Sequence, residues 1–94
     1  MSVMRLQWTS KASSDLARLY DFLAGANRQA AVRTVQALAN APGGLLTNAR
    51  IGERLEEFDP REVRRIWVGQ YEMRYEIQES TIYLLRVWHT REAR

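Results

Sequence analysis

The sequence has 94 residues, which is room for one hydrophobic core, so we expect residues 1–94 to form a single domain. Hydrophobic residues make up 46% and charged residues 27%, an ordinary globular mixture. The absence of cysteine excludes disulfide scaffolds, thiolate zinc sites and cysteine nucleophiles, and a single histidine excludes a histidine-rich metal site. No apolar run reaches the length of a membrane span. We therefore expect a cytoplasmic protein that uses no metal or other cofactor.

The chain is mildly basic, with 14 lysines and arginines against 11 acidic residues. All of the cations except Lys11 are arginine. Arginine binds phosphate or carboxylate through a planar pair of N–H groups, which lysine lacks. A GC-rich genome produces the same bias, so the arginines indicate either anion binding or nothing about function.

The first part of the chain predicts a strand and two helices. Residues 3–8 alternate with a period of two, as a strand does. Ser10 is a good N-cap for a first helix that Gly25 ends at about Ala24. Asn27 caps a second helix, which the Pro42-Gly43-Gly44 run ends. The apolar stripes of the two helices are Ala12, Leu16, Leu19 and Leu23 in the first and Ala31, Val35 and Leu38 in the second.

The last part of the chain predicts three antiparallel strands. Gly69-Gln70 is a type II′ hairpin signal, and it pairs residues whose numbers sum to 139. The third strand is apolar on both sides, which is typical of an interior strand. Before these strands, Ile51–Phe58 predicts either a brief strand or a turn of helix. The three strands are Glu62 to Val68, Tyr71 to Ile77 and Thr81 to His89.

The predicted fold class is α+β, with an N-terminal strand, an antiparallel helix hairpin and then a three-stranded antiparallel run. The helices are expected to pack on the more apolar face of the sheet. The other face is charged and aromatic, and nothing in this chain is expected to cover it. The apolar face holds Arg64, Ile66, Val68, Tyr71, Met73, Tyr75 and Ile77. The charged face holds Val63, Arg65, Trp67, Glu72, Arg74 and Glu76.

The charged face offers the first candidate for function. The predicted register sets Arg65 opposite Arg74, and like charges facing each other destabilise a sheet. A bound anion between the two guanidinium groups would reverse that cost. Alternatively, Glu72 and Glu76 on the same face neutralise the two arginines diagonally, as on many solvated sheet faces.

The end of the third strand offers the second candidate. His89 follows Trp88 and precedes Arg91 by two residues, and an imidazole can act as an acid or a base near neutral pH. A structural role for a lone histidine is the alternative. The acidic cluster before the strands lacks the alternation of a calcium loop, so a solvated loop is expected there. That cluster consists of Glu53, Glu56, Glu57 and Asp59.

Three stretches of the sequence together resemble the RelE/ParE superfamily of toxins. The first runs from Leu6 to Ala12 and is followed by Asp15-Leu16. The second, from Val63 to Tyr75, holds an arginine-containing strand, a tight turn and a Tyr-x-x-Arg-Tyr strand. The third runs from Ile82 to Arg94 and contains Val-x-His-x-Arg. The resemblance covers nearly the whole chain and agrees with the predicted order of elements.

The resemblance implies a toxin of a type II toxin–antitoxin system, held inactive by an antitoxin encoded beside it. ParE-like members inhibit DNA gyrase by trapping cleaved DNA, whereas RelE-like members cut mRNA on the ribosome without a metal. One fold serves both activities, so the fold does not choose between them. We expect the ParE-like activity, which is not enzymatic, and keep the RelE-like mRNA interferase, an endoribonuclease, as the alternative.

Departures from the RelE-like pattern favour the ParE-like branch. Arg74 matches the arginine of the RelE-like middle strand, and Arg91 resembles the one after the last strand, but no tyrosine follows Arg91 in this sequence. Arg64 and Arg65 stand near the place of the RelE-like lysine pair, and arginine is a poor base. For a ribonuclease, the catalytic residues would be Arg74, His89 and Arg91. For a gyrase inhibitor, we expect one target-binding surface lined by Arg65, Arg74, His89 and Arg91.

The resemblance also implies a ParD-like antitoxin whose flexible C-terminal part folds on the toxin as a helix in a groove plus an extended segment. Tyr20 and Val32, at outer positions of the helix hairpin, are the candidate antitoxin-binding residues. We expect a hetero-oligomer that binds promoter DNA only through the antitoxin. A small nucleic-acid-binding module, outside the family, would instead show salt-sensitive binding of DNA or RNA by the isolated protein.

Overall fold

The computed structural model describes residues 3–92, and Arg94, the end of the third resembling stretch, lies outside them. The predicted α+β class and order of elements are confirmed, and the ambiguous region from Ile51 to Phe58 holds both a short strand and a turn of helix. The elements are β1 (Arg5–Trp8), α1 (Ser10–Ala24), α2 (Arg28–Asn40), β2 (Glu53–Arg54), β3 (Glu62–Val68), β4 (Tyr71–Gln78) and β5 (Thr81–His89), with 3-10 helices at Ala41–Leu46 and Glu56–Phe58.

Both long helices begin at a side-chain cap. Thr9, not the predicted Ser10, is the N-cap of α1: its hydroxyl oxygen accepts from the Ala12 N–H at 3.2 Å. The same hydroxyl donates to the Leu84 carbonyl at 2.7 Å, which joins the start of α1 to β5 and explains why Thr9 is preferred. Asn27 caps α2 as predicted. Within residues 3–92, neither helix has the length and hydropathy to cross a membrane.

The strands form one sheet in the order β1-β5-β4-β3-β2, in which only β1 and β5 are parallel. Gly69, with φ of +59°, makes the turn between β3 and β4, as the type II′ prediction requires. The observed pairs from Val68 with Tyr71 to Glu62 with Ile77 confirm the predicted register. β5 lies between β1 and β4, so its predicted interior position is confirmed.

The β4–β5 pairing contains one irregularity. Arg74 lies opposite Arg86, whereas the next residue, Tyr75, lies opposite Leu84. Leu85 is therefore an extra residue, and it forms a β-bulge in β5.

The two faces of the sheet have different coverings. The inner face packs against α1 and α2 through Ala12, Leu19 and Leu38, as predicted. The outer face is more covered than expected, because the 3-10 helix that ends at Phe58 lies against β3. The core residues of the inner face are Met73, Tyr75, Ile77, Ile82, Leu84 and Val87.

Candidate functional site

Three arginines lie side by side across the outer face of the sheet. Arg65 of β3 is opposite Arg74 of β4, as predicted, and Arg74 is opposite Arg86 of β5. Such a row of like charges is destabilising unless anions lie among them. The carboxylates of the chain itself supply those anions.

Glu72 lies between the first two arginines. Its side chain is fully buried, and its Oε2 accepts from Arg74 Nε at 2.9 Å and lies 3.6 Å from Arg65 Nη1. Glu76 instead accepts two hydrogen bonds from Arg61, the shorter at 2.7 Å. Neutralisation of the arginine pair by Glu72 is thus confirmed, whereas Glu76 neutralises an arginine outside the pair.

Aromatic rings lie beneath the guanidinium groups. The Cζ atoms of Arg74 and Arg86 lie 4.8 and 4.9 Å from the ring centroid of Trp88, which is 8% exposed. Arg74 also lies 5.6 Å from the ring of Phe58. Cation–π contacts contribute about 1–2 kcal/mol when partly desolvated. Rings and carboxylates together hold these two guanidinium groups in place.

Asp15 anchors Arg86 from the helix side. It is 3% exposed, and its carboxylate accepts from Arg86 Nε at 2.8 Å, from the Val87 N–H at 2.9 Å and from Arg18 at 3.1 Å. Burial acts to raise the pKa of Asp15, but these hydrogen bonds outweigh it and hold the pKa below the ordinary value. Asp15 is therefore a firmly ionised support.

The same contacts close an open edge of β5. β1 ends at Trp8, opposite Leu84, so the later part of β5 has no strand on that side. On that side, Asp15 accepts a hydrogen bond from the Val87 N–H, and Arg18 donates one to the Val87 carbonyl at 3.2 Å. Both backbone groups of Val87 are thus satisfied by α1 side chains.

A cavity of about 680 Å³ lies between the start of α1 and the outer face. We name this cavity the arginine groove. Its charged and aromatic lining residues are Lys11, Arg61, Arg74, Arg86, Phe58 and Trp88.

The C-terminal turn carries the remaining predicted target residues, and it lies on the other side of the sheet. His89 pairs with Tyr71 of β4, and their rings meet edge to face at 5.1 Å between centroids. The His89 Nδ1 atom accepts from the Arg91 N–H at 3.1 Å, and Glu92 accepts from the His89 N–H at 2.7 Å and pairs with Arg18. These contacts fix the conformation of the turn.

The four predicted target residues are therefore divided between two surfaces. Arg65 and Arg74 lie together on the outer face. His89 and Arg91 line a cavity of about 580 Å³ on the side of the sheet that α1 covers. This second cavity, the helix-side cavity, is also lined by Phe22, whose side chain is 79% exposed.

The candidate antitoxin residues lie on the helix hairpin. Tyr20 is half-buried and Val32 is 39% exposed. Phe22, which the sequence analysis did not select, is more exposed than either. Because Phe22 also lines the helix-side cavity, it is a further candidate contact residue.

The acidic segment before the strands is paired with arginines. Glu53 accepts from Arg65 at 2.9 Å, and Asp59 accepts from Arg54 at 2.9 Å. In the part of the chain from 3 to 92, no three histidine, aspartate or glutamate side chains gather as metal ligands would.

Sequence reasoning missed Asp15, Arg86 and Trp88. Asp15 follows Ala12 by three residues and precedes Leu19 by four, so it stands on the apolar stripe of α1. An acid at such a position signals a buried ion pair. Arg86 and Trp88 carried no comparable signal, because their face depends on a bulge that no sequence pattern marks.

Residues 6–94 match the family described as ParE toxin of type II toxin-antitoxin system, parDE. A chain of the chromosomal ParDE system from P. aeruginosa is 24% identical, with a TM-score of 0.79 over 93% of this chain and 96% of that chain. A chain of the RelBE2 toxin–antitoxin complex from Mycobacterium tuberculosis is 25% identical, with a TM-score of 0.65 over 95% of this chain and 99% of that chain. No curated protein sequence matches the chain. Since the family match spans nearly the whole sequence, the chain belongs to the ParE toxins of type II toxin–antitoxin systems.

Proposed function

We propose that this ParE-type toxin inhibits DNA gyrase and is neutralised by a cognate ParD-like antitoxin. Gyrase is cytoplasmic, so the proposal places the toxin there, where its growth inhibition would also stabilise a plasmid carrying the pair. The observation that carries the proposal is the separation of Arg74 from His89 and Arg91 by the sheet. Metal-free RNA cleavage needs a base, an acid and a cation around one phosphodiester. This separation supports an inhibitor that acts by contact.

Two patches are the proposed gyrase contacts. On the outer face, Arg65 lies over the ring of Trp67 at 5.3 Å, and that ring is 52% exposed. An exposed tryptophan beside an arginine has the composition of an interface hot spot. The second patch is His89 with Arg91 on the C-terminal turn.

A gyrase assay tests the two patches separately. Arg65→Ala and Arg91→Ala are each expected to reduce gyrase-dependent linear DNA by about tenfold, the loss typical of a charged interface contact. Arg28→Ala, an exposed arginine of α2, is the matched control and should leave activity unchanged. Arg74→Ala is avoided because it would leave Glu72 buried without its arginine. If the double variant of Arg65 and Arg91 formed linear DNA as the parent does, these contacts would be wrong.

The alternative function is a ribosome-dependent mRNA interferase. The likeness to the RelBE2 chain favours it, together with the position of Arg74 on the middle strand. Incubation with mRNA on programmed ribosomes distinguishes the two functions. Cut mRNA with unaffected gyrase would replace the inhibitor by the nuclease, with Arg74, His89 and Arg91 as the residues to test.

The antitoxin partner is supported by both solved relatives, which belong to toxin–antitoxin systems. We propose that the antitoxin covers Tyr20 and Val32 on the hairpin and reaches Phe22 at the mouth of the helix-side cavity. Val32→Glu and Phe22→Glu should each weaken capture by the co-expressed antitoxin, while Arg28→Glu should not. Equal capture of all three variants would place the antitoxin elsewhere.

A further inference from the structure

The arginine groove brings together cations from separate parts of the chain. Lys11 belongs to the first turn of α1, Arg61 precedes β3, and Arg74 and Arg86 belong to β4 and β5. Residues so distant in sequence line one cavity of about 680 Å³ only because the fold assembles them. None of these four residues is needed there to fill the hydrophobic core.

The three guanidinium groups are held from behind by buried or nearly buried carboxylates. Arg61 bonds Glu76 through Nε and Nη2, and Arg86 bonds Asp15 in the same way. Arg74 bonds Glu72 through Nε. In Arg61 and Arg86, the bonds to the carboxylate use Nε and Nη2, and Nη1 is not part of either pair. The groove holds oriented N–H donors that need no rearrangement to receive a ligand.

The charge of the groove matches one phosphodiester. Lys11, Arg61, Arg74 and Arg86 supply four positive charges, and Asp15, Glu72 and Glu76 supply three negative ones, which leaves a net charge of +1. Within residues 3–92, Lys11 is paired with no carboxylate, so it supplies that excess.

The geometry of the donors also favours phosphate over carboxylate. The donors approach the groove from a helix, a loop and two strands. A tetrahedral phosphate can accept hydrogen bonds from several directions, whereas the two oxygens of a carboxylate lie in one plane.

We propose that the arginine groove binds the phosphodiester backbone of a nucleic acid and does not cleave it. Its lining includes no imidazole and no carboxylate, the groups that most often take a proton in acid–base catalysis. Arginine remains protonated and is not a base. This binding goes beyond gyrase inhibition and does not depend on it.

The experiment measures binding of fluorescein-labelled oligonucleotides to the purified toxin by fluorescence anisotropy over a range of salt concentrations. Probes of one sequence are used as single-stranded DNA, duplex DNA and RNA. Lys11→Ala should weaken binding by about tenfold and reduce the slope of log K against log salt by about one. Arg33→Ala removes one exposed cation of α2 and should change binding by less than about twofold.

A second variant, Arg61→Gln, removes a groove cation while Gln78 continues to donate to Glu76. It should weaken binding by a similar factor, and circular dichroism melting should show that both groove variants remain folded. Equal losses from Lys11→Ala and Arg33→Ala would mean that net charge alone binds the probes, and would overturn the groove assignment. Cleaved RNA would overturn the non-catalytic role, and binding of pyrophosphate without any oligonucleotide would overturn the nucleic acid as ligand. Binding without gyrase inhibition would leave this inference standing and remove only the proposed function.

Discussion

The two faces of the sheet are stabilised by different interactions although the same strands build them. On the inner face, Met73, Tyr75 and Leu84 are fully buried beneath the helices. Burying an apolar side chain of this kind contributes about 2 kcal/mol to the stability of the fold. This contribution does not depend on the side chain pointing in a particular direction. On the outer face, the buried side chains include Glu72 and Glu76, and each is bonded to an arginine.

That difference separates stability from binding. A buried ion pair gains little net free energy, because its attraction is offset by desolvation. It does fix the orientation of the charged groups, which apolar packing cannot do. The inner face therefore maintains the fold, and the outer face keeps guanidinium groups oriented toward solvent.

The largest expected effect is a loss of stability, and it should differ between two adjacent leucines, one on each face. Leu84→Ala removes a fully buried inner side chain and should lower the free energy of unfolding by about 3 kcal/mol. Leu85→Ala removes the half-buried bulge residue that lines the arginine groove, and should lower it by about 1 kcal/mol. Urea denaturation measures both. Equal losses would contradict the division between the faces.

The second prediction concerns the close approach of the backbone at Gly52 to the hydroxyl of Tyr75. Its hydroxyl donates to the Ala49 carbonyl at 2.8 Å and accepts from the Gly52 N–H at 3.0 Å. A Cβ at position 52 would lie 2.5 Å from that hydroxyl and 2.6 Å from the Arg65 carbonyl, so only glycine fits. Gly52→Ala should lower the free energy of unfolding by about 2 kcal/mol. Gly43→Ala is the control, because a Cβ there meets no atom within 4 Å.

The third prediction concerns the loss of stability at acidic pH. Because the folded pKa of Asp15 lies below its ordinary value of 3.8, its ionised form stabilises the fold above that pH, and the contribution is lost as pH falls through the lower folded pKa. Asp15→Asn should cost about 1.5 kcal/mol at neutral pH. The difference between parent and variant should shrink as the pH falls below 3.8 and through the lower folded pKa of Asp15. Thermal melting against pH measures it, and a difference that persists in acid would mean that shape, not charge, matters at this position.

The smallest effect lies outside both faces. Glu79, in the turn between β4 and β5, has φ of +55°, a conformation that strains a residue with a side chain. Glu79→Gly should raise the free energy of unfolding by about 0.5 kcal/mol, because the relief of strain exceeds the opposing effect of the freedom that glycine gains in the unfolded chain. Ser80→Gly, beside it, has no such strain to relieve and should be destabilising or neutral.

The fold was largely predictable because its signals are local. Gly69-Gln70 alone determined the turn and the seven pairs between β3 and β4. The apolar periodicity of the two helices and the Asn27 cap are also local signals, and they predicted α1 and α2. The N-cap of α1 was misassigned by one residue, because Thr9 is preferred for a bond to Leu84, 75 positions away.

The site was less predictable because it depends on pairs distant in sequence. The contact of Arg65 with Arg74 followed from the turn, but the Asp15–Arg86 pair joins residues 71 positions apart. The turn that sets the β4–β5 register is Glu79-Ser80, which carries no glycine and so gave no hairpin signal. The division of His89 from Arg74 also required the bulge at Leu85, because the register set by the turn alone would place both residues on the outer face.

The bulge at Leu85 decides which side chains the helices bury. Before it, β4 and β5 partners sum to 159 in residue number, and after it they sum to 160. If Leu85 instead paired with Arg74 in a regular ladder, Arg86 and Trp88 would face the helices and Val87 would lie on the outer face, since side chains alternate along a strand. The two side chains that share the outer face at the bulge, Leu85 and Arg86, thus shift the alternation by one residue and set which residues at the end of β5 form the charged surface and which form the core.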